Sequence, residues 1–433
     1  MKRLLQNIGW LLGGRGFNAV MSLLYLALAT RTLGLEGFGY FALIVALGQA
    51  VTGLANFQTW QFVVRWGANG GGPADATGFA IALDMLSVIM GTIVAAVLVS
   101  TAPLWLPLPE DLLWLTFSYC LISVLSIRST PTGLLRLHFK YGTSTAAEAV
   151  QPAIRAAGAV LAWQFMPTVA GFIMAWAAAE VSVALALWFV AGKTERIDLS
   201  RISLCRIPRA HPDAWRFVWS TNLSGSLNVA GKQVMILMVG SLGGEALAGG
   251  FRVASQLGQA LVMLAQTVSK AIYPELVHAQ DQALLMTRRM ANIALIGGVM
   301  AVLVALFAGR WGLNFVAGPK FEGFYWAMVI LAIAGAVELV GASLESLLVS
   351  AGKAHTAFIV RAVPTILALA LLDAAIDWNG AKGAAFAVLG SSSLAVIGFY
   401  VAMLNLQQIR IMVEPIEPHK PKQDLPAPTP QRD

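Results

Sequence analysis

Three cationic residues, Arg15, Lys232 and Arg252, lie within long apolar segments of this 433-residue chain. A cation in such a segment is costly unless it faces water or an anionic partner. We therefore expect these residues to line a polar path rather than to contact lipid.

Polar side chains recur on one helical face beside these cations. Near the middle of the second half, the residues fall at i, i+4, i+7, i+14 and i+18, and they are Arg252, Gln256, Gln259, Gln266 and Lys270. Shorter stripes are Gln49, Thr52, Asn56 and Thr59; Thr221, Ser224, Asn228 and Lys232; and Arg15, Asn18 and Ser22. Such stripes indicate either a water-filled path or hydrogen bonds between helices. Hydrogen bonds explain the amides and hydroxyls adequately, but they explain the cations poorly.

Six acidic residues also fall within apolar segments: Asp84, Glu148, Glu180, Glu338, Glu345 and Asp373. Most are expected to be counter-ions, either to Arg155 and Arg361 or to the stripe cations. Asp84, Glu180 and Glu338 are the candidates for binding a coupling proton or sodium ion.

The sequence lacks the motifs of nucleotide-driven or catalytic proteins. It contains no GxxxxGK[ST] loop, no metal-ligand cluster and no hydrolase elbow, and its two cysteines, Cys120 and Cys205, support no disulfide framework. We therefore expect no catalytic residue, no metal and no cofactor, with transport driven by an ion or substrate gradient.

The composition explains why these residues stand out. Hydrophobic residues make up 58% of the chain and charged residues 12%, with a mean hydropathy of +0.71, whereas soluble proteins carry about 25% charge. A cytosolic enzyme, a DNA-binding protein and a secreted domain are thereby excluded. The net charge of +7 is typical of basic cytoplasmic loops, so no nucleic-acid partner is expected.

The apolar runs predict an all-α integral membrane protein with about twelve transmembrane helices. The predicted spans are 8–29, 38–64, 77–102, 112–127, 143–165, 168–190, 216–239, 246–272, 291–308, 324–350, 354–376 and 383–405. They divide the chain into a six-helix bundle (1–190), a basic linker (191–213), a second six-helix bundle (214–410) and a disordered tail (411–433). The linker is interpreted as a plain connection or as an amphipathic helix on anionic lipid.

An internal repeat relates the two bundles. A Leu-Gly-x-Glu string occurs at Leu33 and again at Leu242, and a Leu-Gly-Gln-Ala string occurs at Leu47 and again at Leu257. The separation of each pair is close to half the chain. Six helices lie between the copies, so both copies have the same orientation in the membrane. The sequence therefore predicts two pseudo-symmetric bundles with a solute path between them.

Loop charges predict the orientation. With the N-terminus inside, only a few cations fall outside, namely Arg31, Arg310, Lys320 and Lys382. Both termini are therefore expected in the cytoplasm.

Several segments resemble one transporter family. Ala29-Thr30-Arg31-Thr32-Leu33-Gly34-Leu35-Glu36-Gly37-Phe38-Gly39-Tyr40 resembles the signature between the first two helices of bacterial polysaccharide exporters. Leu134-Leu135-Arg136-Leu137-His138-Phe139-Lys140 resembles their basic loop after helix four, and Ser269-Lys270-Ala271-Ile272-Tyr273-Pro274-Glu275-Leu276 the end of their helix eight. The chain is thus similar to the oligosaccharide flippases of the multidrug/oligosaccharidyl-lipid/polysaccharide exporter superfamily.

The resemblance implies a V-shaped pair of bundles in the bacterial inner membrane, with a central cationic cavity. The ligand would be a polyprenyl-diphosphate-linked oligosaccharide, with membrane lipids and a polysaccharide polymerase or glycosyltransferases as further partners. Arg15, Lys232 and Arg252 would then bind the diphosphate, while Gln49, Asn56, Gln259, Gln266 and Trp60 would contact sugars.

Two other functions remain open. An ion-coupled multidrug antiporter of the same superfamily predicts an acid within the first helix, but no Asp or Glu precedes Glu36. A membrane glycan polymerase or ligase predicts a large external loop, whereas the longest predicted one, 309–323, is short.

Overall fold

The computed structural model describes residues 2–68, 72–276, 283–350 and 353–413, with some helical side chains excepted. These ranges contain no β-strand and form fifteen α-helices: α1 (Lys2–Ala55), α2 (Thr59–Ala68), α3 (Pro73–Thr101), α4 (Leu113–Leu125), α5 (Ser129–Leu137), α6 (Tyr141–Glu148), α7 (Val150–Phe165), α8 (Val169–Thr194), α9 (Arg206–Ala210), α10 (Asp213–Leu276), α11 (Ala283–Phe307), α12 (Gly309–Ala317), α13 (Tyr325–Ser350), α14 (Ala354–Ala370) and α15 (Leu372–Val413). We call α1–α8 the N-lobe and α10–α15 the C-lobe.

The helices make up a multi-pass membrane protein. Within the described ranges, seven helices are long and apolar enough to cross a bilayer, or eight if the pair α11 and α12, bent by 68°, is one span. Helices α1 and α10 each contain two spans joined at a turn, and other spans consist of two shorter helices. When α1 and α10 are each divided at their turn, and shorter helices that follow one another are combined, the described ranges hold the twelve predicted spans in two pseudo-symmetric bundles.

Two glycines mark the symmetry of the lobes. The chain reverses at Gly34 (φ 69°, ψ −169°) and again at Gly244 (φ 83°, ψ 172°). Both need a positive φ, which glycine adopts at little cost. The Leu-Gly-x-Glu match instead aligns Gly34 with Gly243, so it is offset by one position from the structural equivalence. The correct equivalence is the one that pairs Gln49 with Gln259.

The second predicted span is interrupted. It was expected to be continuous over 38–64, but residues 56–58 leave the helix between α1 and α2, and Gln58 has φ 52°. The fourth predicted span, 112–127, ends at a break in the helix at residues 126–128, between α4 and α5. The helix resumes at Ser129, so the span extends to Leu137.

The linker packs onto the N-lobe rather than forming a long amphipathic helix. It contains the five-residue helix α9, whose Ile207 is buried in the same hydrophobic cluster as Phe79 of α3 and Val218 of α10. Arg201 and Arg206 pair with Asp75 at 3.0 and 3.1 Å. Nearby, hydrogen bonds from Ser200 and the charge of Arg201 lower the pKa of Asp198.

The first three residues of the predicted C-terminal tail are helical. Residues 411–413 continue α15, and the rest of the predicted tail, 414–433, lies outside the described residues.

Candidate substrate-binding cavities

The two helix breaks lie side by side in the N-lobe. The Trp60 backbone N–H donates to the Ser129 hydroxyl at 3.1 Å, and the Thr130 hydroxyl donates to that of Thr59 at 3.1 Å. In transporters, broken helices at membrane depth commonly line a binding site, because non-helical backbone is tolerated there only where it is buried in protein or lines a water-filled cavity.

Side chains from other helices satisfy the backbone groups freed by the breaks. Pro131 has no N–H for the carbonyl of Ile127, which accepts instead from the Trp188 indole at 3.0 Å. The carbonyl of Asn56 accepts from Asn222 at 2.9 Å, and the Asn56 side chain accepts from the N–H of Gln58 at 2.9 Å. These bonds stabilise each break as a defined conformation.

A buried carboxylate joins the beginnings of α2 and α5. Asp84 is 4% exposed and accepts from the Thr59 hydroxyl at 2.9 Å. Thr59 and Thr130 lie in the first turns of these half-helices, where the helix dipole favours a negative charge. The second carboxylate oxygen, Oδ2, has no hydrogen-bond partner within the described part of the chain. Asp84 also lines a small cavity of about 80 Å³.

An arginine–glutamate cluster lies on the other side of the breaks. Glu180 on α8 is 3% exposed and binds Arg155 of α7 and Arg128 of the break, each at 2.6 Å. Gln151 donates to the same carboxylate at 2.9 Å. The Arg155 guanidinium also lies 4.1 Å from the centre of the Trp176 ring. The expectation that Arg155 pairs with one of the acids in the apolar segments is therefore confirmed, and that acid is Glu180.

These groups line a cavity of about 450 Å³ in the N-lobe, which we call the N-cavity. The side chains that line it include two arginines and one carboxylate, and they are Gln49, Asn56, Trp60, Tyr119, Ser123, Arg128, Gln151, Arg155 and Glu180. The volume falls within the range of small-molecule sites, about 300–1,000 Å³.

A second cavity, which we call the C-cavity, lies in the C-lobe and measures about 160 Å³. Lys232, Gln259, Glu338 and Arg361 line it. Arg361 lies 2.7 Å from Glu345 and 3.7 Å from Glu338, so its expected pairing with acids is also confirmed.

The contact between the lobes contains the third predicted cation. Arg252 is 4% exposed and donates to the carbonyl of Ala42 at 3.2 Å, while its Nε has no partner among the described groups. Ala42 and Arg252 have the same separation as the two glycine turns, so the bond joins equivalent positions of α1 and α10. Gly39 and Gly249, another equivalent pair, bring the two backbones into close contact nearby.

The structure separates the predicted site residues. Gln49 and Asn56 line the N-cavity, whereas Lys232, Gln259 and Glu338 line the C-cavity. Arg252 lies between the lobes, and Asn18 and Gln256 each have a buried oxygen without a described partner. The side chains of Arg15, Asn228, Gln266 and Lys270 lie outside the described residues. Their binding roles, and ion coupling by Asp84, Glu180 and Glu338, stay predictions.

The sequence reasoning missed Arg128, Gln151 and Tyr119 as cavity residues. Arg128 fell at the end of a predicted span, because its place inside the bilayer depends on the second half of that span continuing after the break. Pro131, which lies close to Arg128, is the feature of the sequence that could have indicated a helix break with an arginine beside it.

The family assignment rests on a match over most of the chain. Residues 4–280 match the family described as "Polysaccharide biosynthesis protein". The chain belongs to this family. It is also 28% identical over 348 residues to the inner membrane protein YghQ of Escherichia coli (strain K12), a match that covers 75% of this chain and 95% of the relative.

Two solved structures have the same fold. One is an inward-facing multidrug resistance MATE family transporter of the MOP superfamily, with a TM-score of 0.69 and 14% identity, covering 91% of this chain and 96% of the other. The second is the lipid II flippase MurJ in an inward closed conformation, with a TM-score of 0.66 and 11% identity, covering 90% and 86%. This family member therefore has the fold of MOP-superfamily transporters.

Cysteine labelling tests whether the predicted stripe on α10 borders water. Starting from Cys205→Ser, which removes the exposed cysteine, Gln259→Cys is expected to react with a membrane-impermeant maleimide, because Gln259 lines the C-cavity. Buried Cys120 is the internal control and should stay unlabelled. Complete protection of the introduced thiol in every ligand and pH condition would mean that this face is dry.

Proposed function

We propose that this protein is a flippase that moves a polyprenyl-diphosphate-linked oligosaccharide across the bacterial inner membrane during surface polysaccharide synthesis. The observation that carries the proposal is the arginine-lined N-cavity inside the membrane core of a polysaccharide biosynthesis family member. A sugar-bearing anion needs amides, hydroxyls and cations along its path, whereas an apolar drug does not. The fold shared with a lipid II flippase supports the same class of substrate.

The proposed mechanism is alternating access, in which the two lobes open the path to each side of the membrane in turn. Arg15, Lys232 and Arg252 bind the diphosphate in successive steps, with Lys232 in the C-cavity and Arg252 at the contact between the lobes, and the prenyl chain stays in lipid. An ion or substrate gradient drives the cycle. A polysaccharide polymerase or glycosyltransferases act on the glycan before or after its transfer across the membrane. Both termini are cytoplasmic in this proposal, and the inner-membrane location agrees with the name of the Escherichia coli relative.

The alternative of an ion-coupled multidrug antiporter is favoured by the MATE-like fold. This chain lacks the acid that such an antiporter carries on its first helix, since no Asp or Glu precedes Glu36. Export of ethidium, rather than of glycan, would favour it.

Complementation tests the proposal and the three cations together. In a strain lacking the flippase of its own surface glycan, the wild-type chain supplied with the matching glycan genes is expected to restore that glycan. Arg15→Ala or Arg252→Ala should strongly reduce it, because each lost charge-assisted contact costs about 1.5–3 kcal/mol. Arginine-to-lysine variants should rescue partly, since lysine lacks the bidentate fork.

Membrane levels must be matched, because Arg252→Ala also removes the bond to Ala42. Arg65→Gln is the control, since Arg65 packs on Trp66 and Phe217 and lines neither cavity. Full glycan export by the Arg15, Lys232 and Arg252 triple alanine variant would remove these residues from the mechanism.

A further inference from the structure

We infer that the N-cavity is a subsite for an anionic sugar, one that carries a carboxylate or phosphate within the transported glycan. This inference rests on the proposed function and specifies its substrate class. It assigns the binding of the sugar anion to Arg128, which is separate from the three cations proposed for the diphosphate, while Arg155 and Gln151 hold Glu180.

The cavity wall already binds a carboxylate. Glu180 receives Arg155 and Arg128 at 2.6 Å each and Gln151 at 2.9 Å. The wall therefore presents three donors in an arrangement that fits an oxyanion, and Glu180 occupies it as an internal ligand.

Arg128 can exchange partners without leaving Glu180 unpaired. Its side chain is 35% exposed, whereas that of Arg155 is 15% exposed. The Glu180 oxygen next to Arg128, Oε2, has no hydrogen bond among the described residues, so this contact is an ion pair of poor hydrogen-bond geometry. When an anionic sugar enters, Arg128 turns to it, while Arg155 and Gln151 keep Glu180.

The position of the cavity within a single lobe favours the sugar over the diphosphate. Its walls come from α1, α2, α4, α5, α7 and α8, all of one lobe. A diphosphate bound there would draw its prenyl chain in among the polar side chains of the cavity wall. A sugar remote from the lipid has no such constraint, and Gln49, Asn56 and Trp60 offer amides and a ring face to it.

The C-lobe differs from the N-lobe in its backbone. At the position equivalent to the break at residues 56–58, α10 continues as a helix through residues 266–268. The break that shapes the N-cavity is therefore not repeated in the other lobe.

Both cavities carry more cations than acids. The C-cavity is lined by Lys232, Arg361 and Glu338, and Arg361 also pairs with Glu345. The N-cavity is lined by Arg128, Arg155 and Glu180. The difference between the lobes therefore lies in the helix break and not in the sign of the charge.

Saturation-transfer NMR on the purified full chain in lipid nanodiscs tests the inference. The probes are D-glucuronate, D-glucose 6-phosphate and D-glucose, with inorganic diphosphate as a competitor. Signal from either anionic sugar, at least about tenfold tighter binding than D-glucose, is the expected result, since a charged contact distinguishes them. Arg128→Gln should abolish it, Arg128→Lys should retain part of it, and Arg65→Gln should keep it in full.

Three results would overturn the inference: equal binding of D-glucose, no binding of either anionic sugar, or unchanged binding in Arg128→Gln. Displacement by inorganic diphosphate at lower concentration than by glucuronate would assign the site to the lipid head group instead. A folded Arg128→Lys variant keeps the test valid if Arg128→Gln is unstable. Flipping of a neutral glycan-lipid by a chain that binds no anionic sugar would refute the subsite alone, whereas sugar binding without flipping would refute the transport function alone.

Discussion

Arg155→Ala is expected to destabilise the N-lobe severely and to abolish glycan export. Glu180 is 3% exposed and would keep only Arg128, which is partly exposed, and Gln151 as described partners. Removing one member of a buried ion pair costs about 3–5 kcal/mol, because the remaining charge stays desolvated. The apparent thermal midpoint in detergent and the membrane level should both fall.

The reciprocal change should be milder. Glu180→Gln leaves no buried negative charge at this position, and its amide oxygen still accepts from Arg155, so partial export at near-normal protein level is expected. The double variant Arg155→Ala with Glu180→Ala should recover much of the stability lost in Arg155→Ala, which a double-mutant cycle measures. A stable, active Arg155→Ala protein would show that the cluster is dispensable. Loss of all export in a well-expressed Glu180→Gln protein would instead make Glu180 a coupling residue.

Gly249→Leu is expected to abolish export while the chain remains folded. A Cβ atom at this position would lie 2.9 Å from the Cα and N of Gly39 and from the carbonyl oxygen of Leu35. These are backbone atoms, so no side-chain rotation relieves the clash. The two lobes must therefore separate where Gly249 contacts Gly39. Leucine otherwise favours the helix, which confines the effect to the contact between α1 and α10.

The matched control is Gly192→Leu on α8, where an added Cβ meets nothing within 4 Å. Export is measured at equal membrane levels, and the apparent thermal midpoint in detergent reports whether each variant is folded. Gly249→Leu with normal export would mean that the lobes need not close at this contact during the cycle.

The parts of the fold that follow from local chemistry could be predicted from the sequence. The twelve apolar spans and the pairing of Arg155 and Arg361 with acids depend on the cost of polar groups in lipid. Those constraints are visible residue by residue.

The breaks at residues 56–58 and 126–128 depend on partners far along the chain. Asn56-Phe57-Gln58 contains neither glycine nor proline, and its non-helical backbone persists because the distant Asn222 binds the carbonyl of Asn56. Likewise, Trp188 takes the carbonyl that Pro131 leaves free. Since the N-cavity forms around these breaks, its residues could not be assembled from helical spacing, which assumes a continuous helix.

The repeat shows a related limit. The match between the two Leu-Gly-x-Glu strings aligns Gly34 with Gly243. The backbone conformation instead aligns Gly34 with Gly244, where the second turn occurs. Only the residue that needs the positive φ identifies the equivalent position.

Flipping in reconstituted liposomes tests the central claim most directly. Purified chain is incorporated with a fluorescent polyprenyl-diphosphate oligosaccharide, and a membrane-impermeant glycosidase added outside digests only the outward-facing glycan. The account predicts that the protein exposes the inner pool to digestion, that Gly249→Leu does not, and that Gly192→Leu does. Digestion limited to the outer leaflet, with the wild-type chain folded and an ion gradient supplied in either direction, would contradict the claim that this protein is a flippase.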